Sequence, residues 1–582
     1  MTDTVPVLWV SRVAGVLARG YADQGLLEAV MARDVWTPPG ALTFDHRLVV
    51  ESDFPDDVDG AIVVISPRHH VEDAPWLNEQ IQRLDWSVLI LCSDEEWAFP
   101  WWKMHRDDRH KLWISQPRPE HSSADFLFPC GWYPQTRELL AETSEPGQAR
   151  DLLWFFAGQV THIRRWLMEE ALAQSSLDGD VGVFAKTDGY MQEAIPRRFY
   201  FENMAKARTV PCPSGPQSTC TARTEEALEA GCVPVCDLVK PEDPQFDYWG
   251  LVFGEGYPWP AIYDWLTFAE VARAVDWPRD AVRCWSFWQG WKRRMARKLD
   301  ADVHAARGTE RRLDVVSDLV SVIVTTSPAP LHPSTDHLEQ TIDSIREALP
   351  NAEVFVMADG VRPEQEDRRA DYEEYLHRVC WLTNFRWHNV VPVVSDEWVH
   401  QANLVRAGLE RIDTPLVLFM EHDTPLVGPV DWGPLSQMLL DGVANYVRFH
   451  PETHVHDEHE PNMLTVADLA DEVVARLRPT KTWWARPNLA RADFWRDRVL
   501  PYFPAGSRTF VEDPLYGIVL DDFARRGDAA WWDWRLFMYD PDPDEVPHLG
   551  IKRSWHLDSR GADPKYSIWL HEPEDGLGRG NG

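Results

Sequence analysis

The sequence predicts an α/β protein built from more than one module, and three observations carry that expectation. The chain has 582 residues, too many for a single hydrophobic core. Short apolar runs alternate with helical patterns through most of it, the signature of strands and crossover helices in parallel layers. The alternation also halts in a basic helical stretch and restarts afterwards. These features set expected boundaries at 1–145 and 146–290 for two lobes, 291–317 for a basic helical connector, 318–572 for a further α/β domain and 573–582 for a flexible tail.

In the first half the strand candidates are "GAIVVISP" (60–67), "WSVLILCSDEE" (86–96), "HKLWISQP" (110–117) and "DLLWFFAG" (151–158). A second set follows with "VGVFAKTD" (181–188), "ARTVPCPSG" (207–215) and "GCVPVCD" (231–237), the last preceded by the helical "RTEEALEA" (223–230). The stretch "QGWKRRMARKLDADVHAARGTERRL" (289–313) reads as a solvated basic helix. From "LVSVIVTTSP" (319–328) the order is strand, helix "DHLEQTIDSIREAL", strand "AEVFVMADG", helix, strand "NVVPVV", helix "HQANLVRAGLERI" and strand "LVLFMEHDTPLVG" (416–428). That last run of apolar residues ends in Glu421, His422 and Asp423 before Thr424-Pro425 stops it. Thr325-Thr326, Asp359 and Glu421–Asp423 all fall at strand ends, where open parallel sheets bind ligands.

Composition narrows the function. A net charge of −35 excludes a nucleic-acid partner as the expectation, because duplex binding depends on cationic contacts to phosphate; a DNA-base glucosyltransferase is disfavoured on that ground. Thirty Trp residues belong mostly to core and rim, with some faces suited to stacking on sugars or bases. Eight Cys without a C-x-x-C pair read as reduced thiols of a cytoplasmic protein. The first apolar stretch is broken by Arg12 and Arg19, so no export signal is visible, and no run reaches the roughly 18 apolar residues of a membrane span.

The series "VSVIVTTSP … VFVMADG … HQANLVRAGL … LVLFMEHDTPLV" resembles the family 2-like glycosyltransferases of the GT-A fold over roughly 317–560. The resemblance implies nucleotide-sugar binding at Thr325, Asp359, Glu421, Asp423 and Arg560, with Asp359 toward the base. It implies a D-x-D-type motif in Glu421-His422-Asp423, where Glu replaces the first Asp. A divalent metal (Mn²⁺ or Mg²⁺) would be held by Asp423, Glu421 and His556, the last from "IKRSWHLDSRG" (551–561), with Lys552 and Arg553 also near the diphosphate. "RTFVEDPLYG" (508–517) resembles the family's E-D motif, implying Asp513 as catalytic base, with Glu512 positioning the acceptor or serving as base instead. A helix cap at Pro514 explains the same pair locally. "FHPETHVHDEHEPN" (449–462), with His450, His454, His456 and His459, offers zinc-type ligands but reads as an acceptor-side loop.

"FFAGQVTHIRR" (155–165) and "ARTVPCPSGPQSTCTARTEEALEAGCVPV" (207–235) resemble the exostosin family of GT-B-type glycosyltransferases. The implied fold is a GT-B-like pair of Rossmann-type lobes, N-terminal to the GT-A-like domain, with 1–145 as the acceptor lobe. The resemblance implies nucleotide-sugar binding by Arg164, Arg165 and Arg223, with Arg164 or Arg165 and Arg223 facing the donor's phosphates, that Glu226 holds its ribose hydroxyls, and that Ser214-Gly215 admit the nucleotide to the backbone. No metal is expected there. The alternative is that Arg223 and Glu226 form the exposed face of an amphipathic helix. Together the two halves imply a bifunctional glycosyltransferase acting from nucleotide sugars, such as UDP-sugars, on a glycan, protein or small-molecule acceptor. Two rivals remain: a protein with one active half and one carbohydrate- or partner-binding scaffold, and a nucleotidyltransferase, for which "TTSPAPLHPSTD" lacks the Gly-rich basic loop.

Overall fold

The computed structural model describes residues 4–11, 22–50, 53–66, 73–92, 98–161, 163–187, 195–215, 218–238, 246–313, 315–449, 462–466, 469–474, 476–484 and 487–540. Its contacts divide the chain into two units. One comprises 1–312 with 380–388, the other 313–379 with 389–582.

The first unit contains two wholly parallel sheets. Strands β1 (Thr4–Ser11), β2 (Thr43–Val50), β3 (Gly60–Ile65), β4 (Trp86–Leu91), β5 (His110–Ser115) and β6 (Phe126–Phe128) form a sheet of order β2-β1-β3-β4-β5-β6. Strands β7 (Leu152–Gly158), β8 (Gly182–Lys186), β9 (Ala207–Cys212), β10 (Val233–Asp237) and β11 (Ala261–Ile262) form the other, of order β11-β10-β9-β7-β8. Strands β3 and β10 are buried along their whole length, which is why they read as unbroken apolar runs rather than alternating ones. In the second sheet β8 lies on one side of β7 and β9 on the other. The order therefore reverses between β7 and β9, opening a crevice at their carboxyl ends.

The basic stretch expected as a connector over 291–317 is different in kind. Through Arg307 it is the second half of a helix, Arg279–Arg307, that belongs to the first unit. Trp285, Trp288, Trp291, Met295, Leu299 and Val303 are buried and recur at three- and four-residue intervals, the spacing of one helical stripe. That stripe packs on β4, β5 and β10. Charges on the buried face are paired: Asp300 with Arg33 (2.7 Å) and Asp302 with the Trp113 indole (2.8 Å). The basic run hid the stripe because Arg and Lys occupy the positions between these apolar ones.

The second unit is built on one mixed sheet. Strands β12 (Val320–Thr326), β13 (Glu353–Ala358), β14 (Val390–Val394), β15 (Leu416–Glu421), β16 (Tyr446–Phe449), β17 (Leu477–Pro479), β18 (Asn488–Arg491) and β19 (Leu536–Tyr539) run in the order β14-β13-β12-β15-β18-β16-β19-β17. The first four are mutually parallel, and β18 joins β15 antiparallel. Here the order reverses between β12 and β15, and Thr325 is in register with Glu421 across that boundary. Among the described residues no helix is long and apolar enough to cross a membrane. All eight cysteines are buried and none forms a disulfide.

Candidate active site

The reversal between β12 and β15 opens a cavity of about 240 Å³ whose lining includes Thr325, Asp359, Glu421 and Asp423. Four positions separated by up to 98 residues in sequence thus meet at one set of strand ends. Asp423 is buried (3% exposed), whereas Glu421 is half-buried. The turn after β15 is fixed locally, with the Glu421 N–H donating to Thr424 Oγ1 (3.1 Å) and the Thr424 hydroxyl donating back to the Glu421 carbonyl (3.0 Å). The His422 N–H extends the ladder to the Thr325 carbonyl (3.0 Å), and Thr341 Oγ1 donates to the His422 carbonyl (2.9 Å).

Asp359 has a structural task that sequence reading did not foresee. Its Oδ1 accepts from the N–H groups of Gly360 (2.9 Å), Val399 (2.8 Å) and His400 (3.2 Å), and its Oδ2 from His400 (3.1 Å). It therefore caps, from another strand, the helix His400–Leu409, supplying acceptors to donors that have no partner within the helix. Burial pushes this carboxyl up while those N–H groups pull it back. Oδ2 retains acceptor capacity toward a ligand. Gly360 is required by crowding, since a Cβ there would lie 2.3 Å from the Glu397 backbone.

Gln401 supplies the decisive link. Its Nε2 donates to Glu421 Oε1 (3.0 Å), and its Oε1 accepts from the Val511 N–H (3.0 Å). One amide thus joins the end of β15 to the residue preceding Glu512-Asp513. Those two open the helix Glu512–Arg526, two residues earlier than the Pro514 start expected. Glu512 is half-buried, and its charge adds to the burial that raises the Tyr446 hydroxyl. The Asp513 side chain lies outside the described ones, as do residues His450, His454, His456, His459, Lys552, Arg553, His556, Arg560 and the tail 573–582.

Sequence reasoning missed several lining groups. His400 holds a φ of 69°, a left-handed backbone that is uncommon for a non-glycine residue. Its ring sits edge-on against Phe510, centroids 4.6 Å apart. Arg362 and Arg508 each lie over the Trp398 ring, at 5.2 and 5.0 Å. Behind the cavity His332 stacks on Tyr375 at 3.9 Å, and burial drives its imidazole well below the usual range, so it is neutral. The Tyr375 hydroxyl is raised by burial, to which the charge of nearby Asp423 adds. "HQANL" was legible as a helix start, yet nothing in its spacing marks Gln401 as a bridge to a segment 110 residues away.

The crevice between β7 and β9 has the opposite character. Arg164 and Arg165 stand in the first turn of the helix Ile163–Leu177 and Arg223 in that of Ala222–Glu229. Arg164 donates to the Gly215 carbonyl (3.1 Å) and pairs with Asp237 (3.4 Å). Arg165 donates to the Gln159 carbonyl (2.9 Å), and Arg223 to the Ala157 carbonyl (2.8 Å) while lying over the Phe156 ring. Gly158 (φ 153°) makes room, since a Cβ there would fall 2.4 Å from Arg223 Nη2. Burial, with Arg223 and Arg164 close by, lowers Arg165 to about 10. Ser214 donates its N–H (2.6 Å) and its hydroxyl to Asp237 Oδ2.

Glu226 is buried, so the alternative of an exposed helix face fails for it. Burial raises its carboxyl to about 7, and Tyr200 donates a hydrogen bond to it (2.9 Å). Glu229, one turn on, is held near 2 despite equal burial, chiefly by Lys292 and Arg137, with Asn384 also donating. Glu229 is thereby a structural ion-pair partner, and Glu226 is not.

No protein-family model matches the chain, and no curated protein matches it. Among solved structures it is similar to S. aureus TarS, at 12% identity over 38% of this chain and 35% of that one, with a TM-score of 0.24. It is similar to the mannosyltransferase PcManGT from Pyrobaculum calidifontis in complex with GDP-Man and Mn²⁺, at 16% identity over 31% and 46%, with a TM-score of 0.21. GalNAc-T7 with UDP, GalNAc and Mn²⁺ is matched at 8% identity over 41% and 44%, with a TM-score of 0.26. The chain thus spans less than half the length of each. Likeness at this level says nothing about substrate or chemistry here.

Proposed function

We propose that this chain is a glycosyltransferase acting from nucleotide sugars, with a metal-dependent GT-A-like site in the second unit and a metal-free, exostosin-like GT-B-type donor site in the first. The supporting observation is the Gln401 bridge, which ties Glu421, at the mouth of a carboxylate-lined cavity, to the backbone leading into Glu512-Asp513. A donor diphosphate and an acceptor hydroxyl would need those two segments side by side.

The donor set of the second unit suits a hard divalent cation, because Asp423 and Glu421 offer carboxylate oxygens within one cavity. These two residues would hold Mn²⁺ or Mg²⁺, with His556 joining from beyond the described residues. A bound cation would offset the charge that builds on the departing diphosphate. The nucleotide would meet Thr325 and the remaining acceptor capacity of Asp359. The acceptor oxygen attacks the anomeric carbon, the bond from that carbon to the phosphate oxygen breaks, and the acceptor's proton passes to Asp513. Glu512 orients the acceptor.

In the first unit the anion-binding groups belong to the chain itself. Two helix N-termini and three guanidinium groups converge at the ends of β7 and β9, and both features favour a diphosphate. Glu226 would accept from the ribose hydroxyls.

The test is a thermal-shift panel of UDP- and GDP-sugars on the full chain, with and without Mn²⁺. Specific binding raises apparent stability. One nucleotide class should stabilise only with Mn²⁺, and that gain should vanish in Asp423→Ala. A metal-independent gain should vanish in Arg223→Ala. Absence of any stabilisation by nucleotide sugars would overturn the proposal.

A further inference from the structure

At the opposite, amino-terminal edge of the first sheet, His105, Asp107 and His110 bring their ligand atoms within 4.8 Å of one another. His105 and Asp107 stand in the turn that leads into β5 and His110 is the first residue of that strand, remote from the strand ends where the sheet would bind a substrate. His105 Nε2 lies 3.3 Å from Asp107 Oδ2, and His110 Nδ1 lies 2.7 Å from Asp107 Oδ1. The imidazole rings of the two histidines face each other edge to plane with centroids 4.7 Å apart. A tetrahedral ion with bonds of about 2.0–2.1 Å sets its ligand atoms roughly 3.3 Å apart, so small side-chain adjustments suffice.

The surroundings orient the ligands. His110 Nε2 is 3.1 Å from the Leu84 carbonyl, which can only accept, so the ring proton sits on Nε2 and Nδ1 is left facing the Asp107 carboxylate. Two acceptors at 2.7 Å require a proton or a cation between them. The donation from His110 Nε2 to the Leu84 carbonyl is the outer hydrogen bond that metal-ligating imidazoles usually make. Asp107 is held by the Arg109 N–H (2.8 Å), and the His105 N–H donates to Asn78 Oδ1 (2.5 Å). His105 and Asp107 are partly solvent-exposed, whereas His110 is buried, giving an ion an entry path and room for a water as fourth ligand.

We propose that His105, Asp107 and His110 bind a borderline transition-metal cation of the Zn²⁺ class, separate from the hard-cation site at Asp423. Two imidazoles and one carboxylate favour such an ion over Mg²⁺ or Mn²⁺. The bound ion would clasp the loop before β5 to the start of that strand.

The full chain, stripped with a chelator and dialysed, is titrated with Co²⁺ while visible d–d absorption is recorded, then with Zn²⁺ in competition. Bound metal is counted after dialysis. Wild type should hold one more Zn²⁺-displaceable equivalent than His105→Gln, a substitution at a partly exposed side chain, and Asp423→Ala should keep that equivalent. The His110→Gln protein should lose it too, and wild type alone should gain melting temperature with Zn²⁺ from this site. Equal counts in wild type and His105→Gln, or no displaceable metal in wild type, would overturn the proposal.

Discussion

The crevice between β12 and β15 and the crevice between β7 and β9 are the same architectural feature with opposite charge. Each lies where a parallel sheet reverses its strand order. In the second unit the strand ends carry Asp359, Glu421 and Asp423. In the first they receive Arg164, Arg165 and Arg223. On the proposed reading, a diphosphate would enter the first unit's crevice with its own charge alone, whereas among the three carboxylates of the second unit it would need a cation. On that reading, topology would choose the place for a ligand, and the residues that end the strands would choose how its charge is met.

Removing metal separates the two most strongly. With EDTA present, donor binding through the second unit should fall below detection in calorimetry, as it should in Asp423→Ala with Mn²⁺ supplied. Binding through the first should be unchanged under both treatments. Loss of both together would break the comparison, and so would Mn²⁺-stimulated binding that survives Asp423→Ala.

Asp513→Asn should act on rate rather than on binding. Removal of a general base typically costs about 10²–10⁴-fold, with donor affinity retained because the substitution leaves the proposed metal ligands in place. Single-turnover transfer assays with donor at saturation read this directly. A weakened donor affinity with an unchanged rate constant would reassign Asp513 from base to donor ligand.

The core strands of both units were legible because parallel strands buried on both faces leave long apolar runs, as in "GAIVVI" and "LVLFME". The convergence of Asp359, Glu421 and Asp423 was also legible, since all three follow such runs. Less visible was everything set by distant partners. The Trp stripe of Arg279–Arg307 lay beneath a basic run. Gln401 gives no local sign that it spans Glu421 and Val511, and Asp359 looks in sequence like an ordinary strand-to-turn residue rather than a helix cap. The short strands β16 to β19 pair out of sequence order, so no local period announces them. Glu226 and Glu229 look alike in "RTEEALEA", and only Lys292, Arg137 and Asn384 tell them apart.

That distinction predicts a stability effect at Glu229. Glu229→Ala leaves Lys292 buried without its carboxylate partner, and breaking a buried pair in this way costs about 3–5 kcal/mol. Denaturant midpoints should record it. The native carboxyl sits near 2 against an ordinary 4.5, so between those values the unfolded chain binds the extra proton. The stability from Glu229 is therefore complete above pH 4.5 and lost as the pH falls toward 2. An acid-unfolding curve that is identical in wild type and Glu229→Gln would break the contrast.

Glu226 carries the smallest effect and the opposite sign. Its native carboxyl lies near 7, above the ordinary 4.5, because burial penalises the charge and Tyr200 and Arg223 offset only part of that penalty. Between pH 4.5 and 7 the folded state holds a proton that the unfolded chain has released. This group's contribution therefore makes folding less favourable as pH rises through that window, and Glu226→Gln should remove that slope while Glu229→Gln leaves it. Donor binding should respond in the other direction. A carboxylate accepts from two ribose hydroxyls more strongly than a neutral acid does, so affinity in the first unit should rise as pH climbs through about 7. In EDTA, which silences the second unit, Glu226→Gln should weaken donor binding by about 1.5–3 kcal/mol, the worth of a hydrogen bond to a charged group, and flatten the pH profile. Calorimetry at pH 6 and pH 8 measures both quantities. If the variant binds donor as wild type does and keeps the pH dependence, Glu226 is a packed acid of the helix Ala222–Glu229, and the arginines alone define that crevice.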